Sequence, residues 1–119
     1  MNIALWICQG VLVLAFVVSG TLKSTQSKPR MIATGQTGVQ AYSLPFIRFI
    51  ATCELFGVAG LILPTALGVL PVLTPVAAIG LAIIMIGAAH AHWVLREPRN
   101  VAVNAFLFTL CILVAWGRA

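Results

Sequence analysis

The sequence predicts an all-α protein, a bundle of four transmembrane helices. Apolar residues make up 61% of the chain and charged residues 8%, whereas soluble domains carry about 25% charged residues. The mean hydropathy of +1.10 also indicates a membrane protein. Four apolar runs are also present, and a bilayer requires roughly 20 such residues at about 1.5 Å of rise each. These runs predict helices over about residues 3–22, 44–63, 76–95 and 100–116, in a single domain spanning residues 1–119.

The first predicted helix is too long for the apolar core of a secretory signal, and no basic residues precede it. It ends at Lys23, where a polar connection over residues 23–43 begins. Pro29 is suited to open a short helix in this connection. Apolar residues such as Met31 and Val39 would let it lie on the membrane or over the mouth of the bundle. The connection is therefore either a mobile linker or an ordered lid.

The second predicted helix carries Glu54 at its midpoint. A carboxylate at the centre of a bilayer costs about 3 kcal/mol on insertion scales, so neighbouring helices have to shelter it. The following stretch, residues 64–75, contains three prolines, Pro64, Pro71 and Pro75, together with Gly68. Because proline and glycine interrupt helices, the second helix is expected to end near residue 63.

The third predicted helix is rich in glycine and alanine, which allow helices in membranes to pack closely. It is therefore expected to be the most enclosed of the four. The fourth predicted helix, at about 17 residues, is at the short limit for a membrane span.

Basic residues indicate the orientation. Five of the seven lie in or beside two connections on one side of the membrane, namely Lys23, Lys28, Arg30, Arg96 and Arg99. The positive-inside rule then makes loops 23–43 and 96–99 cytoplasmic and both termini external. These scattered charges form no patch that could follow a phosphate backbone, so the expected partner is the lipid bilayer and not nucleic acid.

Ionisable side chains gather toward the cytoplasmic half of the predicted bundle. From that face, Glu54 lies about 15 Å deep, Arg48 about 6 Å deep, and His90 and His92 about 5 to 8 Å deep, with Lys23 at a similar level. These five residues are the candidates for ligand binding or proton relay. No catalytic role is assigned to any of them.

Helical geometry limits how these groups can pair. Arg48 and Glu54 are about 240° apart around one helix, so they do not share a face. His90 or His92 is therefore the expected partner of Glu54. The two histidines are about 200° apart, so only one can face inward, and His92 is favoured because it lies one turn from small residues. No metal site is expected from this pair, and no CxxC motif is present.

Four stretches of the sequence resemble the DoxX-like family of small membrane proteins in their order and spacing. They are SGTLKST after the first helix, CELFGVAGLILP in the second, LPVLTPVAAIGLAIIMIGAAHAHWVLREPRN through the third, and the closing LVAWGRA. The resemblance implies a four-helix bundle in the bacterial inner membrane, in a family named after a subunit of a thiosulfate:quinone oxidoreductase. The polar positions of the family match at Lys23, Glu54 and His92. His90 stands where the family suggests a small or aliphatic residue.

Three functions are compatible with these features. The first is an accessory subunit that binds a small lipophilic ligand, for which a quinone is suited, and supports membrane redox or stress chemistry performed by a partner protein. The chain alone is then not an enzyme but a subunit of a quinone-linked oxidoreductase. The second is a proton-coupled exporter of small molecules. The third is a structural or assembly protein, in which the small residues of the third helix form either an internal core or a face for a homo-oligomer.

Overall fold

The computed structural model describes residues 2–35, 37–70 and 72–119, and within these residues the protein is helical with no strand. Four helices are long and apolar enough to cross a membrane: α1 (Asn2–Thr25), α3 (Leu44–Leu67), α4 (Leu73–Val94) and α5 (Pro98–Arg118). The connection between the first two contains a short helix α2 (Lys28–Ala33) and a 3-10 helix (Thr37–Ala41). The predicted all-α fold with four spans is confirmed.

The four long helices form a closed ring. α1 packs against α3 and α5, and α4 packs against the same two helices. The bundle measures 41 × 26 × 18 Å along its principal axes. Its core is formed by apolar side chains from every long helix, including Phe16, Leu61, Leu81 and Val114. Most of the remaining apolar side chains face outward, as expected where lipid is the solvent.

Glycines set the distance between neighbouring helices. A Cβ atom at Gly60 would lie 2.7 Å from the Cβ of Ala77, and one at Gly57 would lie 2.8 Å from the side chain of Leu81. Such distances are shorter than carbon atoms tolerate. At Gly60 a side chain would force α3 away from α4, because the Cβ of Ala77 is fixed to its backbone, whereas at Gly57 the side chain of Leu81 would have to move. α4 also buries a larger share of its apolar stretch than the other three long helices, as its composition predicts.

α3 extends farther than its prolines indicate. It continues through Pro64 to Leu67 and ends at Gly68, which adopts the left-handed conformation with φ of 67°. Proline removes one hydrogen bond from the helix without necessarily ending it. The buried amide of Gln9 donates to the carbonyl of Leu61, three residues before Pro64, and so joins α1 to α3. Pro71 lies outside the described residues.

The two ends of the bundle differ in charge. We call the end where α1 ends, α3 begins, α4 ends and α5 begins the basic end, because six of the seven basic residues lie there. At the opposite end, Arg118 donates to Gln9 Oε1 at 2.9 Å and to Asn2 Oδ1 at 2.7 Å. Its guanidinium also lies 5.0 Å from the centre of the Trp6 ring. These contacts join the last turn of α5 to α1.

Candidate functional site

Glu54 is fully buried in the bundle and forms an ion pair with Lys23. The Lys23 Nζ to Glu54 Oε1 distance is 2.9 Å. The expectation that a histidine would be the partner of Glu54 is therefore wrong, because the end of α1 brings an ammonium group to the carboxylate. The second carboxylate oxygen, Oε2, is buried and has no hydrogen-bond partner among the described residues. The ion pair therefore provides a partner for one of the two oxygens of a fully buried carboxylate.

The end of α1 is shaped to present Lys23 to α3. Gly20 permits the approach, since a Cβ atom there would lie 2.9 Å from the side chain of Leu55. Arg48 Nη1 donates to the backbone carbonyl of Lys23 at 2.5 Å. This bond provides a partner for one of the carbonyls that the last turn of a helix leaves unpaired. Arg48 therefore positions Lys23 and does not contact Glu54 directly.

A cavity of about 220 Å³ opens beside Lys23 at the basic end. α3 contributes Phe46, Ile47 and Ile50 to its wall. α4 contributes a second wall with Ile83, Ile84, Gly87, Ala88, Ala91 and His92. Apart from Lys23 and His92, the lining is almost entirely apolar. A cavity with this lining suits an apolar molecule that carries hydrogen-bonding atoms on one side.

The polar connection between α1 and α3 forms the third wall of the cavity. We call residues 28–35 and 37–42 the covering segment. It contributes Val39 and Tyr42 to the lining, and its Met31 and Val39 are buried against Ile47 of α3. Lys28 Nζ also donates to the backbone carbonyl of Tyr42 at 2.6 Å. The connection is thus packed as an ordered cover over this end of the bundle, and Pro29 lies in the first turn of α2 as predicted.

Glu97 links the covering segment to α4. Its Oε1 atom accepts from Thr37 Oγ1 at 2.8 Å and lies 2.8 Å from His92 Nδ1. The hydrogen bond with His92, followed by that with Thr37, holds the pKa of Glu97 below its ordinary value of 4.5. One carboxylate oxygen therefore joins a residue of the cavity wall to the segment that covers the cavity.

The structure separates the predicted candidates into two groups. Lys23 and His92 line the cavity, and Glu54 is in contact with Lys23 behind that wall. Arg48 is half-buried beneath Lys23, and His90 is exposed on the outer face of α4. Among the described residues, no group of three or more His, Cys, Asp and Glu side chains could hold a metal ion.

Two polar residues that contribute to the structure of the bundle were not among the predicted candidates. Glu97 was not selected, although its position five residues after His92 and directly before Pro98 indicates a carboxylate at a turn. Gln9 interrupts the apolar run of α1, and it is fully buried and forms hydrogen bonds with two other helices. A glutamine in the middle of a spanning segment is itself a signal, because its amide must find partners there.

Comparison with known proteins identifies the family. No curated protein and no solved structure matches the sequence significantly. A family model described as the DoxX-like family matches residues 7–114, a range that includes most of all four spanning helices and the whole cavity wall. The match agrees with the resemblance of the sequence motifs. The chain therefore belongs to the DoxX-like family.

Proposed function

We propose that the protein is an accessory membrane subunit that binds the head group of a small lipophilic, quinone-like molecule in the cavity beside Lys23. In this role it supports membrane redox or stress chemistry performed by a partner protein. The observation that supports the proposal most directly is the cavity itself, which combines apolar walls with one ammonium and one imidazole group. A quinone presents the complementary surface, a flat apolar ring with carbonyl acceptors at its edge.

The size of the cavity favours a head group over a complete prenylated molecule. Its volume of about 220 Å³ is below the roughly 300 to 1,000 Å³ typical of pockets for drug-sized ligands. A single ring would fill it, and an attached apolar tail would lie along the bundle in lipid. Lys23 Nζ would donate to a carbonyl oxygen of the ring. Because Glu97 occupies Nδ1 of His92, this side chain would meet the ligand through Nε2.

The proposal assigns binding, and no electron transfer, to this chain. A reduced or oxidised cofactor on a partner oxidoreductase would supply or accept the electrons. The contribution of this protein would be to hold the ring in the membrane with its carbonyl groups directed at two hydrogen-bond donors. The Lys23–Glu54 pair would keep the ammonium in place, since it anchors Lys23 from behind.

The test uses two glycines of α4 that differ only in their position relative to the cavity. Gly87 lines the cavity and Gly80 does not. Apart from the surrounding helix backbone, no atom of the described residues would lie within 4 Å of a Cβ atom at either position. Gly87→Leu should therefore fill the cavity without disturbing helix packing, and Gly80→Leu is the matched control. Binding of decylubiquinone to each protein in lipid nanodiscs is measured by equilibrium dialysis.

We expect the original protein and Gly80→Leu to bind the quinone equally. Gly87→Leu should bind at least about tenfold more weakly, equivalent to 1.4 kcal/mol. The proposal is wrong if the original protein binds no quinone, or if Gly87→Leu binds it as well as Gly80→Leu does.

A structural or assembly role is the second candidate, and one observation favours it. The Lys23–Glu54 pair joins α1 to α3 through a fully buried carboxylate, and buried polar pairs can fix which arrangement of helices forms. If this were its only role, Glu54→Gln would alter stability or oligomeric state, and Gly87→Leu would leave every measured property of the protein unchanged.

We further propose that the protein lies in the bacterial inner membrane with its basic end in the cytoplasm. Six basic residues at one end against Arg118 at the other support this orientation. Alkaline phosphatase fused after Ala119 should be active, and green fluorescent protein fused at the same position should not fluoresce. The opposite result would reverse the orientation.

A further inference from the structure

A second groove lies at the basic end, separate from the cavity. It has a volume of about 500 Å³ and is lined by the last residues of α4, the turn that follows, and the first turn of α5: Trp93, Val94, Arg96, Glu97, Pro98 and Val101. Trp93 is 71% exposed and Val94 is 64% exposed, so an apolar chain lying along the bundle could contact them. Tryptophan at this level of a membrane helix is typical of the boundary between hydrocarbon and head groups.

Arg96 occupies a backbone position that normally belongs to glycine. It follows the last turn of α4 with φ of 59°, in the left-handed region. The Arg96 amide donates to the carbonyl of Trp93, and the Glu97 amide donates to that of His92. This is the Schellman ending of a helix, in which glycine is preferred because a side chain is strained there. An arginine at this position therefore costs the fold stability.

Contacts within the protein do not account for this arginine. Across the described parts of the chain, no hydrogen bond or ion pair engages the guanidinium of Arg96. The one acidic group in the groove, Glu97, has its Oε1 atom engaged by His92 and Thr37. Arg30 and Arg99 add exposed positive charge at the same end of the bundle. The groove thus combines an available guanidinium with an apolar wall in a positively charged region.

We propose that this groove binds an anionic phospholipid. The guanidinium of Arg96 would donate to the phosphate diester, and an acyl chain would pack along Trp93, Val94 and Val101. Guanidinium groups suit phosphate oxygens because they present paired donors in one plane. Phosphate binding would then explain why an arginine is present at position 96 in spite of the backbone strain. This inference rests on the groove alone, so it stands or fails independently of quinone binding in the cavity.

Fluorescence quenching at Trp93 tests the site. The full chain with Trp6→Phe and Trp116→Phe retains Trp93 as its single tryptophan. This protein is placed in phosphatidylcholine vesicles that contain a fixed fraction of a lipid with brominated acyl chains. The brominated lipid is phosphatidylglycerol in one set of vesicles and phosphatidylcholine in the other. We expect brominated phosphatidylglycerol to quench Trp93 more strongly at equal mole fraction. Arg96→Gln should reduce the relative association constant for the anionic lipid about fivefold.

Two further variants show whether the lipid preference depends on a specific site. One controls for the overall positive charge of the basic end, and the other controls for misfolding. Arg30→Gln removes the same charge at the same end of the bundle without altering the groove, so it should leave the preference for phosphatidylglycerol intact. Arg96→Gly should lose the preference while raising the Tm in pure phosphatidylcholine, because glycine relieves the backbone strain. The proposal is overturned if Trp93 shows no preference for the anionic lipid. It is also overturned if Arg30→Gln and Arg96→Gln weaken the preference equally, or if Arg96→Gly retains it.

Discussion

At the scale of single residues, the Lys23–Glu54 pair is asymmetric. Glu54 is fully buried, whereas 13% of the Lys23 side chain is exposed. Lys23 also lies in the last turn of α1, where the helix dipole favours a cation and the flexible stem can reach the interface. Removing Glu54 and removing Lys23 should therefore have unequal effects on stability. Without Glu54, the Lys23 ammonium can still reach solvent, whereas without Lys23 the Glu54 carboxylate cannot.

We predict that Lys23→Met destabilises the protein more than Glu54→Gln. The first variant leaves a buried carboxylate without its cation, which costs about 3 to 5 kcal/mol. The second leaves a lysine that can move toward solvent, at a cost of about 1 to 3 kcal/mol. Unfolding in mixed micelles with increasing sodium dodecyl sulfate measures both.

The double variant Lys23→Met/Glu54→Gln is the control for this comparison, and it should be more stable than Lys23→Met alone. Equal stability of the two single variants would show that the burial of the two partners does not govern the energy of the pair.

At the scale of the helices, packing depends on glycines at positions where no side chain would fit. Gly60 lies against Ala77 of the neighbouring helix, whereas nothing in the described residues lies within 4 Å of a Cβ atom at Gly80. The two positions have the same residue type in long spanning helices and differ in what surrounds them. They form a matched pair for testing the interface between α3 and α4.

Gly60→Ala should destabilise the protein by about 1 to 3 kcal/mol, since the added carbon forces α3 away from α4. Gly80→Ala should instead stabilise it by about 0.5 to 1 kcal/mol, because alanine loses less conformational freedom in a helix. Thermal unfolding in detergent, followed by circular dichroism, gives both values. Two changes of the same sign would contradict the close approach at Gly60.

The covering segment is attached to α4 through a titratable group. Glu97 has a lowered pKa because its carboxylate accepts from His92 and Thr37. A carboxylate with a lowered pKa contributes stability above its ordinary value of 4.5, and that contribution is lost as the pH falls through the lower value in the folded protein. The attachment should therefore hold at neutral pH and weaken in acid.

We predict that backbone amides of residues 37–42 exchange hydrogen faster, relative to their intrinsic rates, as the pH falls from 6 to about 3. Exchange measured by mass spectrometry follows the segment directly. In Glu97→Gln, protection of these amides should already be reduced at pH 6 and should change little with pH. Equal pH dependence in both proteins would assign the effect to another group.

At the scale of the whole molecule, the fold could be predicted from the sequence more fully than the site. Apolar runs and the small residues of α4 indicate four spans and their close packing, and Pro29 indicates α2. Rise per residue also places Lys23, Glu54 and His92 in the same half of the bundle, with Glu54 deeper than the other two. It does not determine how each helix is rotated about its axis, and this rotation decides that Lys23 and not His92 contacts Glu54.

The bundle is closed at both ends by polar contacts, and the end opposite the cavity depends on Arg118. We predict that Arg118→Met lowers the free energy of unfolding by about 1 to 3 kcal/mol, because Gln9 Oε1 is left buried without a donor. Arg99→Met is the control, with a change within about 0.5 kcal/mol expected at this exposed position. Denaturation in detergent measures both, and equal losses would contradict the role of Arg118.

The contact between Lys23 and Glu54 has a consequence for which molecules the protein can admit. Among the described residues that line the cavity, Lys23 carries the one ammonium group, and a carboxylate immediately behind the wall contacts it. In the proposed binding mode an acidic compound would have to compete with Glu54 for this ammonium. A ketone needs no such competition, since it can accept a hydrogen bond while the ammonium stays paired. Under the proposed function, the cavity would therefore bind uncharged hydrogen-bond acceptors in preference to acids of the same size.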